Sequence, residues 1–296
     1  MSSHRLQCFE DVHDFEDVAL PFLIEREAEH NVILGICNQI KRGDYKDFWL
    51  TAVMDGPTVV AVAYRTPPFL LGLAHAEAPD AIDMIADAAH AEFEVLPGAV
   101  GEKEIAARFS AAWSRVSGQT ASIRMRQRIY QVARVQQTPG VSGRPRPAVE
   151  KDAPLLAEWV VAFGTEANAP LGRRVEEWVA IRLRQDADSG VWVWEDEGDV
   201  VSMVAYTGPT PNGIRVNGVY TPPDRRRHGY ATACVAALTQ WLLEHGRRFC
   251  FLYTDLSNPT SNAIYQRIGY EPVCDVDQYA FAGPDAVVAM RTREQP

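Results

Sequence analysis

The residues from Gly218 to Ala231 are of the types that hold an oxyanion. An apolar strand, Gly218-Val219-Tyr220-Thr221, ends at Pro222-Pro223, a turn carries Arg225, Arg226 and Arg227, and Gly229 opens a helical pattern. Ala231, Cys234, Val235, Leu238, Trp241 and Leu242 keep the spacing of one buried helix face. The unpaired N–H groups of a first helical turn and the helix dipole attract negative charge, and a glycine lets an anion approach the backbone closely. The chemistry would be phosphate binding. The same residues also fit a solvated turn in which Gly229 only satisfies backbone geometry. Neither the Gly-x-x-x-x-Gly-Lys-Ser/Thr loop nor the Gly-x-Gly-x-x-Gly fingerprint occurs.

About thirty residues later Phe249 to Thr254 reads as a buried strand, and Asp255-Leu256-Ser257-Asn258-Pro259 starts a helix with Asn258 at its cap and Pro259 at its first position. Ser261 to Ile268 continues it, and Gly269 ends it. On these two stretches the chain resembles the GNAT superfamily of acyl-CoA-dependent N-acyltransferases. Arg226-x-x-Gly229-x-Ala231 is similar to that family's Arg/Gln-x-x-Gly-x-Gly/Ala signature. Asn258-x-x-Ser261-x-x-x-Tyr265-x-x-x-Gly269-Tyr270 is similar to its second motif, and both lie in the family's order. The resemblance covers residues 148 to 296.

It implies that backbone amides of Arg226, Arg227, His228, Gly229, Tyr230 and Ala231, with Thr232 beside them, hold the pyrophosphate of acetyl-CoA or another short acyl-CoA. Val219, Tyr220 and Thr221 would splay from the next strand and pair with pantetheine. The Thr221 N–H would polarise the thioester carbonyl and steady the oxyanion, and Tyr265 would protonate the departing thiolate. Asn258 or Asn262 would bind the cofactor arm. Each residue has a plainer use as well: Tyr265, spaced with Ile264 and Ile268, as a core aromatic, Asn258 as a cap alone, and His228 as a surface residue. A general base is missing from the strand Ile214 to Val219, which holds no carboxylate. Glu166 and Asp255 are candidates by position, either as base or as ligand to the amine, and both also read as solvated surface.

The elements that would position these residues occur twice. Phe48 to Val53 turns at Asp55-Gly56-Pro57 and returns as Val59 to Tyr64; Val191 to Trp194 turns at Glu197-Gly198-Asp199 and returns as Val200 to Tyr206. Both are hairpin patterns that close on Val-Ala-Tyr. Helical pattern precedes each, from Ala19 to Ile40 in the first half and over Pro154 to Phe163 and Val175 to Leu183 in the second. A third strand follows, Phe69 to Ala74 and Ile214 to Tyr220, then a helix, and a late strand at Ile129 to Val132 and at Gln278 to Phe281. The fold class is α+β (mixed α/β): two GNAT-like domains, each a twisted, mixed and mostly antiparallel sheet flanked by helices. The polar, Pro- and Gly-rich run at 136–147 reads as a linker, dividing the chain into 1–135 and 148–296. The first half has no Arg-x-x-Gly-x-Ala, and it carries Glu77 and Asp80 where a phosphate would sit. It reads as a degenerate copy without a CoA site.

The 296 residues match two average domains of ~150. With 47% hydrophobic and 23% charged residues the chain is an ordinary globular one. A net charge of -10 opposes nucleic-acid binding. Five scattered cysteines, Cys8, Cys37, Cys234, Cys250 and Cys274, with no Cys-x-x-Cys pair, give neither a disulfide framework nor a metal motif. No apolar run would span a bilayer, and the residues after Met1 lack a signal-peptide core, so a cytoplasmic protein without membrane partner is expected. The expected activity is acetyl transfer to a primary amine of a small molecule or peptide by direct attack in a ternary complex, with no metal, by a monomer or homodimer. A non-catalytic acyl-CoA-binding regulatory protein and an aminoacyl transferase using charged tRNA are the alternatives.

Overall fold

The structure, a computed structural model, describes residues 4–136, 140–167 and 174–283. Of these, 4–129, 255–257 and 273–283 form one compact unit, and 130–136, 140–167, 174–254 and 258–272 form a second.

In the first unit β1 (His4–Phe9), α1 (Val12–Glu25) and α2 (Asn31–Lys41) precede the hairpin β2 (Trp49–Asp55) and β3 (Thr58–Arg65). The hairpin turn is two residues, Gly56-Pro57, with Gly56 at φ +59°, a conformation that costs glycine little. Then come β4 (Leu71–Ala76), α3 (Pro79–Glu92), β5 (Gly98–Glu102), α4 (Lys103–Ser117) and β6 (Thr120–Val132). The helical pattern of the first half is thus two helices, broken at 26–30. Strand alternation sorts the core onto two faces: Trp49, Val53, Ala61 and Ala63 meet α3 and α4 around Trp113, while Leu50, Ala52, Val62 and Tyr64 meet α1 and α2 around Phe15 and Leu23.

The second unit repeats the plan. After an edge strand β7 (Arg144–Pro147) come α5 (Ala153–Glu166), α6 (Val175–Leu183), the hairpin β8 (Gly190–Asp196) and β9 (Asp199–Thr207), then β10 (Gly213–Tyr220), α7 (Tyr230–Glu244), β11 (Phe249–Asp255) and α8 (Pro259–Ile268). Val191, Val193, Met203 and Ala205 pack toward α5 and α6; Trp192, Val204, Tyr206, Ile214 and Val216 pack toward α7 and α8. Within the units β4 with β5 and β10 with β11 are parallel, while β1·β2, β2·β3, β3·β4, β7·β8, β8·β9, β9·β10 and the pair of β5 with β12 (Glu271–Ala282) are antiparallel. The mixed, mostly antiparallel sheet flanked by helices, twice over, is the architecture expected from the sequence.

The repeat reaches the fine register. β4 carries one more residue than β3 between the pairs Ala63↔Leu73 and Ala61↔Ala76. β10 does the same against β9 between Ala205↔Asn217 and Met203↔Tyr220. These are β-bulges at equivalent places.

Two features differ from a division by chain order. The run 136–147 is not all linker, because β7 pairs antiparallel with β8 from Arg144↔Glu195 to Pro147↔Trp192. Its prolines are tolerated because an edge strand leaves one side without ladder partners. The final strand, β12 (Glu271–Ala282), pairs antiparallel with β5 from Val276↔Glu102 to Ala280↔Gly98, and its residues from 273 on lie in the first unit rather than with 148–272. The end of β6 contributes Tyr130 and Val132 to the core of the second unit. Local pattern identifies a strand but not its partner, so chain order alone could not show this.

Candidate active site

The site grows out of the bulge in β10. Gly218 sits at φ +58°, where a Cβ would lie 3.4 Å from that of Ala205 and 3.6 Å from the Trp178 ring. β10 pairs with β11 only from Gly213↔Phe249 to Arg215↔Phe251, so the two strands part beyond Arg215. Val219, Tyr220 and Thr221 therefore lie where β10 has left its parallel neighbour. Buried Ser202 on β9 anchors the strand end, donating to the Tyr220 carbonyl at 3.1 Å and lying 2.9 Å from Thr221 Oγ1. Among the described residues no hydrogen bond engages the Thr221 N–H. That donor is fixed in place and available.

Beyond Pro222 a 3-10 turn, Pro223–Arg225, leads to Arg227 at φ +70° and Gly229 at φ +86°. α7 starts on the Gly229 carbonyl, which accepts the Ala233 N–H at 3.0 Å. The amides of Tyr230, Ala231 and Thr232 precede the first intrahelical donor and are open to an anion. His228 stacks on Tyr230 at 5.5 Å, and the Tyr230 hydroxyl donates to Asp196, so both flank the turn rather than enter it. Arg227 and His228 are exposed. Arg226 is committed: its Nε donates to the Thr221 carbonyl at 2.9 Å and its Nη2 to Glu166 at 2.7 Å. The guanidinium lies 5.8 Å from the Tyr220 ring centre. Burial, and then the Glu166 charge, push the Tyr220 hydroxyl above its ordinary pKa. What this turn offers an anion is thus backbone N–H, and Arg226 is already tied to Glu166.

On α8, Asn258 is a working cap, its Oδ1 accepting the Ser261 N–H at 3.1 Å. Asn262 donates to the Asn258 carbonyl at 2.7 Å and accepts from the Tyr130 hydroxyl at 3.1 Å. Tyr265 is 8% exposed and packs edge-on against Tyr270 at 6.0 Å. Burial pushes its hydroxyl up to about 12, so it stays protonated at neutral pH, and among the described residues it makes no side-chain hydrogen bond. A buried phenol normally finds a partner. Gly269, at φ +104°, ends the helix where a Cβ would press on the Arg134 carbonyl at 3.0 Å.

The structure brings Thr221, the Gly229 turn, α8 with Tyr265, and Glu166 into the second unit. It places Asp255 with the first, its Oδ1 accepting the Ser257 N–H at 2.8 Å. Sequence reasoning missed Ser202, whose buried hydroxyl is one polar position in an apolar strand, and Asn217. Asn217 opens the bulge with its Oδ1 buried and without a partner among the described residues. It also missed Trp178 on α6, over which Arg182 stacks at 3.9 Å. In the first unit the equivalent of Thr221 is Glu77, whose N–H is consumed by the Val60 carbonyl at 2.8 Å. α3 there begins with Pro79-Asp80, offering no N–H at its first position and a negative charge at its second.

The acetyltransferase (GNAT) family matches residues 154–270. The fold is shared with an X-ray structure of a Drosophila protein at 14% identity, TM-score 0.65, over 94% of this chain and 98% of that one. A GCN5-related N-acetyltransferase from Sphaerobacter thermophilus is similar at 15% identity and TM-score 0.62, over 95% and 96%. A tandem GNAT protein from the clavulanic acid biosynthesis pathway is similar at 10% identity and TM-score 0.54, over 94% and 98%. No curated protein matches the sequence. Among the described residues no helix is long and apolar enough to cross a membrane. A bulged strand leads into a glycine-opened helix inside the matched segment, so residues 154–270 form a domain of the acetyltransferase (GNAT) family, in a chain whose doubled fold is shared with a tandem GNAT protein.

Proposed function

We propose that the second unit transfers an acetyl group, or another short acyl group, from its coenzyme A thioester to a primary amine of a small molecule or peptide. The observation that carries this reading is the Thr221 N–H, which has no partner among the described residues, at the end of bulged β10, one short turn before the open amides of Tyr230 to Thr232. The bulge aims a donor at a developing oxyanion, and preorganised donors of this kind are worth about 10²–10³-fold in rate. The helix N-terminus takes the pyrophosphate, and the parted β10 and β11 leave backbone groups for the pantetheine arm. Asn258 and Asn262 hold the start of α8 so that Tyr265 keeps its place. A neutral phenol with no competing acceptor among the described residues is suited to protonate the departing thiolate.

The amine attacks directly. In the second unit burial raises the thiols of Cys234 and Cys250 well above their ordinary range, which suits core packing rather than an acyl-enzyme. We assign Glu166 to the amine side, as the carboxylate that draws the acceptor's charge or its proton once a phosphate ligand competes for Arg226. Asp255 is the lesser candidate, since it already caps a turn. The test is acetyl-CoA-dependent thiol release over a panel of peptides, polyamines and aminoglycosides. Turnover with an intersecting-line kinetic pattern is expected. Ping-pong kinetics or a trapped acyl-cysteine would overturn direct attack, and tight coenzyme A binding with no turnover on any amine would overturn the transfer.

A further inference from the structure

The first unit keeps the cleft of its repeat and fills it with different chemistry. β4 and β5 pair only from Leu71↔Ala99 to Gly72↔Val100 and then part, as β10 and β11 do. The matched bulges put His75 at the position that Val219 holds in the second unit. Glu102 ends β5, and Glu29 lies in the connection between α1 and α2. One donor atom from each of Glu29, His75 and Glu102 lies within 4.8 Å of the other two, and His75 Nδ1 is 2.9 Å from Glu102 Oε2.

We infer that Glu29, His75 and Glu102 form a site for a divalent cation of the zinc class in the cleft of the first unit. Three donors from three separate elements converge, and one is an imidazole, which a merely acidic surface does not supply. Four ligands at the ~2.0–2.1 Å of a tetrahedral zinc stand about 3.4 Å apart, so small rotamer changes close this set on an ion. The backbone that carries the imidazole is held firmly. The His75 N–H donates to His30 Nε2 at 3.0 Å, which leaves the His30 proton on Nδ1, 2.9 Å from the Leu23 carbonyl. His30 is 2% exposed, so that relay is fixed.

Charge points the same way. Glu29, Glu77 and Glu102 all act on Arg26, whose bond to Glu29 at 3.0 Å is made by a side chain 46% exposed. Three carboxylates around one surface arginine leave negative charge in excess. A cysteine shares the sheet face of Glu102. Val276 faces Glu102 across the β12–β5 ladder, and strand alternation puts Cys274 on the same face, two residues along. Imidazole with carboxylates favours Zn²⁺ over Mg²⁺, which prefers an octahedron of oxygens and keeps its waters.

The test is titration of tag-free, metal-stripped full-length protein with Zn²⁺ alone, followed by calorimetry, by bound zinc after desalting, and by thermal melting. One Zn²⁺ per chain and a raised melting temperature are expected, with at least tenfold weaker binding in His75→Ala and Glu102→Gln and no comparable response to Mg²⁺. Glu29→Gln changes only a partly exposed connection and carries the same expectation if His75→Ala fails to fold. No saturable binding by the wild type, undiminished binding in all folded variants, or equal binding of Mg²⁺ would overturn the site. None of these readouts depends on acetyl transfer.

Discussion

Tyr265 sits in the core and yet has no hydrogen-bond partner for its hydroxyl among the described residues. Both sequence-level uses, core aromatic and acid, are therefore compatible: the ring packs, and the hydroxyl remains free to donate. Tyr265→Phe removes no internal hydrogen bond, so unfolding free energy should stay within about 0.5 kcal/mol. On the proposed reading kcat falls about 100-fold or more with the KM for acetyl-CoA little changed, because only the proton transfer is lost. Steady-state kinetics beside denaturant melts checks both halves. Ser202→Ala should cost about 1 kcal/mol for its bond to the Tyr220 carbonyl and lower kcat by loosening the strand end, read from the same pair of measurements. Tyr265 was legible because its spacing belongs to a motif. Ser202 was not, because its importance comes from facing Thr221 across a ladder.

Two short elements set the geometry. Gly229 begins α7 in a left-handed conformation, and that backbone, more than side-chain space, is why a glycine stands there: a Cβ would meet only Val141, at 3.0 Å. Gly229→Ala should cost about 1–2 kcal/mol in stability and raise the KM for acetyl-CoA several-fold by tilting the first-turn amides, as chemical denaturation and initial-rate kinetics would show. The strand, turn and helix around it were readable from prolines, arginines and helical spacing alone. The extra residue that bulges β10 was not, since a bulge exists only relative to the partner strand. Asn217 opens this bulge with its Oδ1 buried and without a partner among the described residues.

At the scale of the molecule, burial of titratable groups makes a pH prediction. Tyr265 rises from 10.0, and Cys37 and Cys250 from 9.0, each to about 12, burial being the largest cause. All three are neutral when protonated, so the unfolded chain releases these protons at lower pH than the native one. Their contribution is complete below about pH 9 and is lost as pH rises toward 12. Denaturation midpoints should be flat from pH 7 to 9 and fall steeply above 10. Strand exchange makes a second prediction. A chain ending at residue 270 loses β12 and leaves β5 without its antiparallel partner, so the first unit should melt earlier, visible in the fluorescence of buried Trp113. A division at 136–147 would predict damage to the second half only.

Local chemistry determined what could be read without coordinates: hairpin turns, helix caps, a glycine-opened helix with arginines before it, and the doubling of the whole pattern. These depend on residues a few positions apart, and near-neighbour physics is written directly in the chain. Tertiary structure alone decided the rest: the shared bulge, the exchange that sends β12 to the first unit, the pairing of Glu166 with Arg226, and the meeting of Glu29, His75 and Glu102. Each joins segments separated by tens to hundreds of residues, and only the closing of sheets around buried cores selects which distant strands and side chains meet.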